Sequence, residues 1–157
     1  MAAPAEKTLK NLTGKWSLGI GYLTRKGIGL ASVTLDVNEY EAAPKPPNTA
    51  TEIFTHIDIE QTAAGLSSTH ERRCVDDTWR EHEDWLFGKV KGRTRWVGED
   101  GKNFILSEVE SVGNGWTATQ IWGFQKIEGE RRYVRHVVVK KEDKTEVVKL
   151  VYDYTGQ

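Results

Sequence analysis

Between Ser32 and Tyr40 the chain alternates. Val33, Leu35 and Val37 fall on one side and Thr34, Asp36 and Asn38 on the other, the period-two signature of a strand with one buried face. The alternation returns in 116–127, where Trp116, Ala118, Gln120, Trp122 and Phe124 oppose Thr117, Thr119, Ile121, Gly123 and Gln125. Near the end, Val148, Leu150, Tyr152 and Tyr154 oppose Val147, Lys149, Val151 and Asp153. Turn-forming residues stand where hairpins need them. Gly65 follows Thr51 to Gln61, and Glu99-Asp100-Gly101-Lys102 follows Arg93 to Val97. Gly113-Asn114-Gly115 precedes Trp116, while Glu128-Gly129-Glu130 and Glu142-Asp143-Lys144 bound a strand from Arg131 to Lys141. Residues 42–48 hold three of the four prolines and predict a surface loop. From Trp16 to Leu30, Gly19, Gly21, Gly27 and Gly29 interrupt the apolar positions, which predicts a short strand and then a brief helix or irregular cover.

Counted along the chain, these signals give about eight to ten strands with little helix after residue 31. Such spacing predicts an all-β fold, a single antiparallel up-and-down β-barrel, with a sandwich as the competing architecture. The barrel is favoured because several strands carry aromatic and charged groups on one face, which a dry sandwich core tolerates poorly. Residues 1–11, small, charged or Pro-containing, are expected as a flexible leader, and 12–157 as one barrel domain.

Composition narrows the function classes. Twenty-two Lys plus Arg against 23 Asp plus Glu leave a net charge of -1, without the positive excess that favours nucleic acid. No secretory leader and no apolar window of about 20 residues is found, so no membrane span and a cytoplasmic location are expected. One cysteine, Cys74, cannot form an internal bridge. His70 and Cys74 share a strand face but stand about 13 Å apart in extended chain, so no metal is expected. Gly-x-Ser-x-Gly and phosphate-loop motifs are absent, and no cofactor is expected.

Six tryptophans, at 16, 79, 85, 96, 116 and 122, carry the sharper signal. They either pack the barrel ends or form aromatic walls around a small-molecule cavity. In 79–87 both faces hold charge: Trp79, Glu81, Glu83, Trp85 and Phe87 against Arg80, His82, Asp84 and Leu86. A buried Gln120 needs a hydrogen-bond partner, and Tyr152 offers an inward hydroxyl. Acid/base candidates are His56 with Asp58, the His82-Glu83-Asp84 run, Glu71, and Arg135 beside His136. For each of these the plain alternative is a solvated strand exterior.

The opening Asn11-Leu12-Thr13-Gly14-Lys15-Trp16-Ser17-Leu18 resembles the Gly-x-Trp first strand of calycins, the lipocalins and intracellular fatty-acid-binding proteins. Lys149-Leu150-Val151-Tyr152 resembles the closing strand of the fatty-acid-binding branch, whose Arg-x-Tyr pair holds a ligand carboxylate. Tyr152 matches the tyrosine and Leu150 stands where the arginine would be, which implies a neutral or differently anchored ligand. The segments His56 to Gln61, Trp79 to Asp84, Phe87 to Arg93, Trp116-Thr117-Ala118 and Arg132-Tyr133-Val134-Arg135 are similar to short fungal lipocalin-like proteins. Some small calycin-like proteins encoded beside polyketide pathways act as cyclases, including for Diels-Alder-type closures.

The resemblance implies a hydrophobic small molecule bound inside the barrel and cyclised or isomerised there without a cofactor. Trp16, Trp79, Trp85, Trp96, Trp122, Phe124 and Tyr133 are the expected walls, and His56, Gln120, Arg135 and Tyr152 the expected polar, catalytic groups. A non-catalytic carrier of a lipid or other metabolite is the alternative, and a filled barrel serving as an interaction module a third. Monomer and homodimer are both compatible with exposed edge strands.

Overall fold

The computed structural model describes residues 2–19, 33–63, 68–84, 87–98 and 104–157. These contain ten strands: β1 (Gly14–Leu18), β2 (Val33–Ala42), β3 (Phe54–Ala63), β4 (Thr69–Cys74), β5 (Arg80–Asp84), β6 (Gly88–Val97), β7 (Phe104–Ser111), β8 (Trp116–Ile127), β9 (Glu130–Lys141) and β10 (Lys144–Gly156). Every pairing is antiparallel, in one sheet of order β4-β3-β2-β1-β10-β9-β8-β7-β6-β5. Sequence neighbours are therefore sheet neighbours except β4 and β5, which form the two edges, and β1 pairs with β10 in the middle of the sheet. The sheet curls into an antiparallel all-β barrel, as the strand spacing predicts. Its edges β4 and β5 share no ladder among the described residues. The β4 side is tied instead to β6 and β7, by Asp77 N, just after β4, donating to Thr94 O at 2.9 Å and by Arg73 Nη1 donating to Ser107 Oγ at 2.7 Å.

Two of the expected turns are two-residue hairpins. Ile127 pairs with Glu130 across Glu128 (φ 53°) and Gly129 (φ 80°), and Lys141 pairs with Lys144 across Glu142 (φ 55°) and Asp143. A left-handed backbone in such loops matches the twist of the strands they join. The expected turns at Gly65 and at 99–102, and most of the cover expected between Trp16 and Leu30, lie outside the described residues.

The glycine of the Gly-x-Trp opening is required by geometry. Gly14 has φ 131°, and a Cβ there would stand 2.6 Å from the Tyr154 ring and 2.9 Å from Gly156 O. The pairing of β1 with β10 shifts register just after it, between Lys15 and Trp16, and Trp16 turns into the core completely buried. There it meets Tyr133 and Tyr154 edge-on at 5.3 and 5.2 Å. Leu18, Leu35, Val37, Ile57, Ile59, Ile105, Trp122 and Tyr152 complete the interior. A separate cluster of Ile127, Val134 and Val151 lies on the other face of the sheet.

Residues 2–13 are not a loose leader but a plug for one end of the barrel. Ala3, Leu9 and Leu12 are buried with the core. Ala3 N donates to Arg131 O at 2.9 Å, and the Arg131 guanidinium reaches Pro4 O and Lys7 O. The Trp16 indole N–H donates to Leu12 O at 2.9 Å. Three widely spaced apolar residues have no strand or helix period, so their burial left no pattern in the sequence.

The plug also buries charge. Lys7 is 4% exposed, donates to Thr13 O and lies 4.9 Å from the Tyr154 ring centre. Glu39, on β2 beneath the plug, has a buried Oε2 without a hydrogen-bond partner. Burial, reinforced by the Glu41 carboxylate, outweighs the Leu12 backbone and Lys7 and pushes the Glu39 carboxyl up from 4.5 to about 8. A folded-state value above the unfolded one gives stability that is fully present below about pH 4.5 and is lost as pH rises toward 8. Glu39→Gln should therefore match the wild type near pH 4 and exceed it above pH 8 by about 1–2 kcal/mol, allowing for the carboxyl's partial contact with water. Urea midpoints across that range check this, and equal pH slopes for the two proteins would contradict it.

Candidate functional site

β8, β9 and β10 lie side by side, and their registers decide what meets inside. Trp122 pairs with Arg135, Phe124 with Tyr133, Arg135 with Leu150, and Tyr133 with Tyr152. Paired residues share a face, so an arginine is set among aromatic rings in the barrel interior. Arg135 is only 2% exposed. Its guanidinium centre lies 4.0 Å from the Trp122 ring centre and 5.7 Å from those of Tyr133 and Tyr152. Tyr133 and Tyr152 stack at 5.3 Å, and Phe124 closes on both Tyr133 and Trp16. The Trp122 indole N–H donates to Gln120 Oε1 at 2.9 Å, which satisfies the amide oxygen predicted to need a partner.

Two of the three guanidinium nitrogens of Arg135 are held. Nε donates to Tyr133 Oη at 2.9 Å, and Nη1 stands 3.5 Å from Glu71 Oε2. The buried Nη2 has no hydrogen-bond partner. Glu71 comes from β4 together with Arg73, whose Nη2 lies 3.4 Å from the same Glu71 oxygen and whose own buried Nε is also without a partner. Burial alone would push the Glu71 carboxyl up, but Arg135 and Arg73 outweigh it and hold that carboxyl below its ordinary range. Burial opposes the Arg135 cation too, yet Tyr133, Glu71 and Tyr152 more than offset it and keep the guanidinium charged. Burial drives the Tyr133 and Tyr152 phenols upward despite Arg135, so both hydroxyls stay neutral donors at any working pH. Two cations against one carboxylate leave this interior cluster net positive, with free N–H groups beside π-faces. Such a site can polarise a carbonyl and hold a flat, conjugated chain.

The structure thus brings together Trp16, Gln120, Trp122, Phe124, Tyr133, Arg135 and Tyr152. Trp96, half-buried, packs against the same core next to Ile105, its partner across β6 and β7. Two of the expected residues, Trp79 and His56, lie elsewhere. Trp79 is on the outer surface, where Arg93 and Lys91 cover its ring at 4.7 and 5.2 Å. Its placement follows from the register of β5, in which Arg80 and His82 pair with Gly92 and Val90 and take the inward parity. Trp85 lies outside the described residues.

His56 is remote from the Arg135 cluster, although only 2% exposed. On β3 the inward residues are Ile57 and Ile59, so His56 points to the opposite face, where it stacks on Tyr40 at 4.9 Å. Its Nε2 contacts Ala42 O and Ala43 O at 3.2 and 3.0 Å, pinning the proline-rich loop as a structural group. The same loop is tied by Arg80, which donates to Lys45 O, Pro46 O and both carboxylate oxygens of Asp76. The Asp76 side chain is fully buried. Arg80→Met should destabilise the protein by about 3 kcal/mol, because a buried carboxylate loses its counter-charge. Chemical denaturation reads this out, and a loss below about 1 kcal/mol would show the pair to be a screened surface contact.

The position of Leu150 gains its meaning here. Leu150 pairs with Arg135 on the neighbouring strand, so an arginine lies beside Tyr152 all the same. Sequence reasoning offered Glu71 only as an acid/base candidate and did not find Arg73 or Ser107. No family model matches the chain. The "Probable pericyclase scpY" of Mollisia scopiformis is 30% identical over an alignment of 186 residues that covers 99% of this chain and 95% of that protein. The chain belongs to this pericyclase family. A second pericyclase, pydY of an Acremonium species, is 25% identical and covers 99% of this chain and 98% of its own length. The chain also shares its fold with the fluorescent protein UnaG, a point mutant of which superposes with a TM-score of 0.50 over 92% of this chain and 96% of that one, at 16% identity. Among the described residues, no helix is long and apolar enough to cross a membrane.

Proposed function

We propose that the protein closes a hydrophobic, conjugated carbonyl compound to a ring inside its barrel, with Arg135 as the group that engages the carbonyl. The observation that carries this reading is the buried, charged Arg135 whose Nη2 has no partner, set against the faces of Trp122, Tyr133 and Tyr152. In a Diels-Alder closure three π bonds become one π bond and two σ bonds. Nothing is added and nothing leaves, so the protein's work is to fold the chain and to shift electron density. Holding the reacting ends together supplies several kcal/mol, up to about 7–11 in favourable cases. A hydrogen bond from Arg135 to the carbonyl of the dienophile draws electron density from it, and Tyr133 and Tyr152 stand by as neutral donors. Trp16, Trp96, Trp122 and Phe124 serve as walls, and Gln120 fixes the Trp122 indole. The free, buried Cys74 suits a reducing compartment such as the cytoplasm. All chamber groups come from one chain, so the reading needs no second copy.

The test uses a linear dienyl enal, a conjugated diene and an α,β-unsaturated aldehyde joined by a saturated tether. Incubation with substoichiometric protein should yield a product of equal mass and new retention time over many turnovers. Saturable tryptophan quenching with the compound recovered unchanged would make the protein a carrier.

A further inference from the structure

β4 is an edge strand, paired only with β3 in the sheet order, yet its inward side chains bond to the opposite wall of the barrel. Arg73 reaches Ser107 on β7 at 2.7 Å, and Glu71 reaches Arg135 on β9 at 3.5 Å. One oxygen, Glu71 Oε2, stands between the two guanidinium groups, and both of these lie over the Trp122 ring, at 4.0 Å for Arg135 and 5.6 Å for Arg73. Without that carboxylate the two cations would repel each other in a poorly solvated space. With it, the Arg135 plane is fixed at two nitrogens, Nε by Tyr133 and Nη1 by Glu71, and the third nitrogen is the one left to donate.

We propose that Glu71 is a positioning residue that locks the Arg135 guanidinium in the rotation presenting Nη2, and that Arg73, latched to Ser107, holds Glu71 in place across the gap between β4 and β7. The inference rests on the reading of Arg135 as the carbonyl's donor. It makes the edge strand, which contributes no aromatic wall, a working part of the site. The barrel's closing contact and the orientation of its key cation are then one network, and separating β4 from β7 would release both.

Nitrogen-15 NMR of the arginine side chains reads the lock without any substrate, as the rate of rotation about the Arg135 Cζ–Nε bond. In Glu71→Gln, which keeps size and one acceptor but removes the charge, that rotation is expected to speed up about tenfold or more, the range for losing a charge-assisted bond. With the dienyl enal, kcat should fall while KM changes little, because a mobile donor weakens the transition state more than general binding. Ser107→Ala, which cuts only the latch, should speed the rotation by a smaller factor and covers the case in which Glu71→Gln fails to fold. A rotation rate unchanged in Glu71→Gln, or unchanged in Ser107→Ala should the first variant not fold, overturns the proposal. The reading of Arg135 fails on a separate result, unaltered turnover in Arg135→Met, so the two failures are told apart.

Discussion

Arg135→Met is expected to lower turnover of a carbonyl-bearing polyene by about a hundredfold to a thousandfold, the usual consequence of removing one aimed donor from a water-poor site. The fold should survive the change. Methionine fills a similar volume among Trp122, Tyr133 and Tyr152, and Glu71 retains Arg73 as its counter-charge. Replacing a buried ion with a packed apolar group is often neutral when no uncompensated charge remains. Urea unfolding should therefore show a midpoint near that of the wild type, while the rate of product formation collapses. Loss of stability in step with loss of turnover would mean that Arg135 serves the core and not the reaction. Arg135→Lys keeps the charge and should recover only part of the rate, since one ammonium nitrogen cannot stand at the positions of all three guanidinium nitrogens.

Trp16→Ala should cost about 3–5 kcal/mol, a large share of the roughly 5–15 kcal/mol that holds a domain of this kind together. Trp16 is completely buried, meets three aromatic rings edge-on and anchors the plug through Leu12 O. Removing it opens a cavity in the core and loosens residues 2–13 at Leu12, while Arg131 still holds Pro4 and Lys7. Trp16→Phe keeps much of the ring contact but forfeits the indole hydrogen bond, and should cost about 1–2 kcal/mol. Denaturation midpoints for the pair separate packing from capping. Similar losses for the two variants would place most of Trp16's contribution in that one bond.

Much of this architecture could be read from the sequence because antiparallel hairpins are local. Glu128-Gly129 and Glu142-Asp143 fix their own turns, and once β8 to β10 are in register, period two alone assigns Gln120, Trp122, Phe124, Leu150 and Tyr152 to one face. Arg135 follows from the same register. Where both faces of a strand are polar the pattern falls silent. His70, Arg72 and Cys74 alternate with Glu71 and Arg73 without a marker of which set points inward, and only closure of the sheet brings Glu71 to a residue 64 positions away. His56 does carry a signal in its neighbours. Ile57 and Ile59 are the apolar parity of β3, so the histidine belongs to the other face. Trp79 shows that an aromatic ring is equally at home under surface guanidinium and ammonium groups, where it is half covered without being core.

The most direct measurement is a crystal structure of the protein with a saturated, unreactive analogue of the dienyl enal that keeps its aldehyde. The carbonyl oxygen should lie within hydrogen-bond reach of Arg135 Nη2, with the chain folded back inside the barrel. An analogue seated on the outer face of the barrel, or inside it with the aldehyde turned away from Arg135, would contradict the assignment of this chamber as the place where the ring is closed.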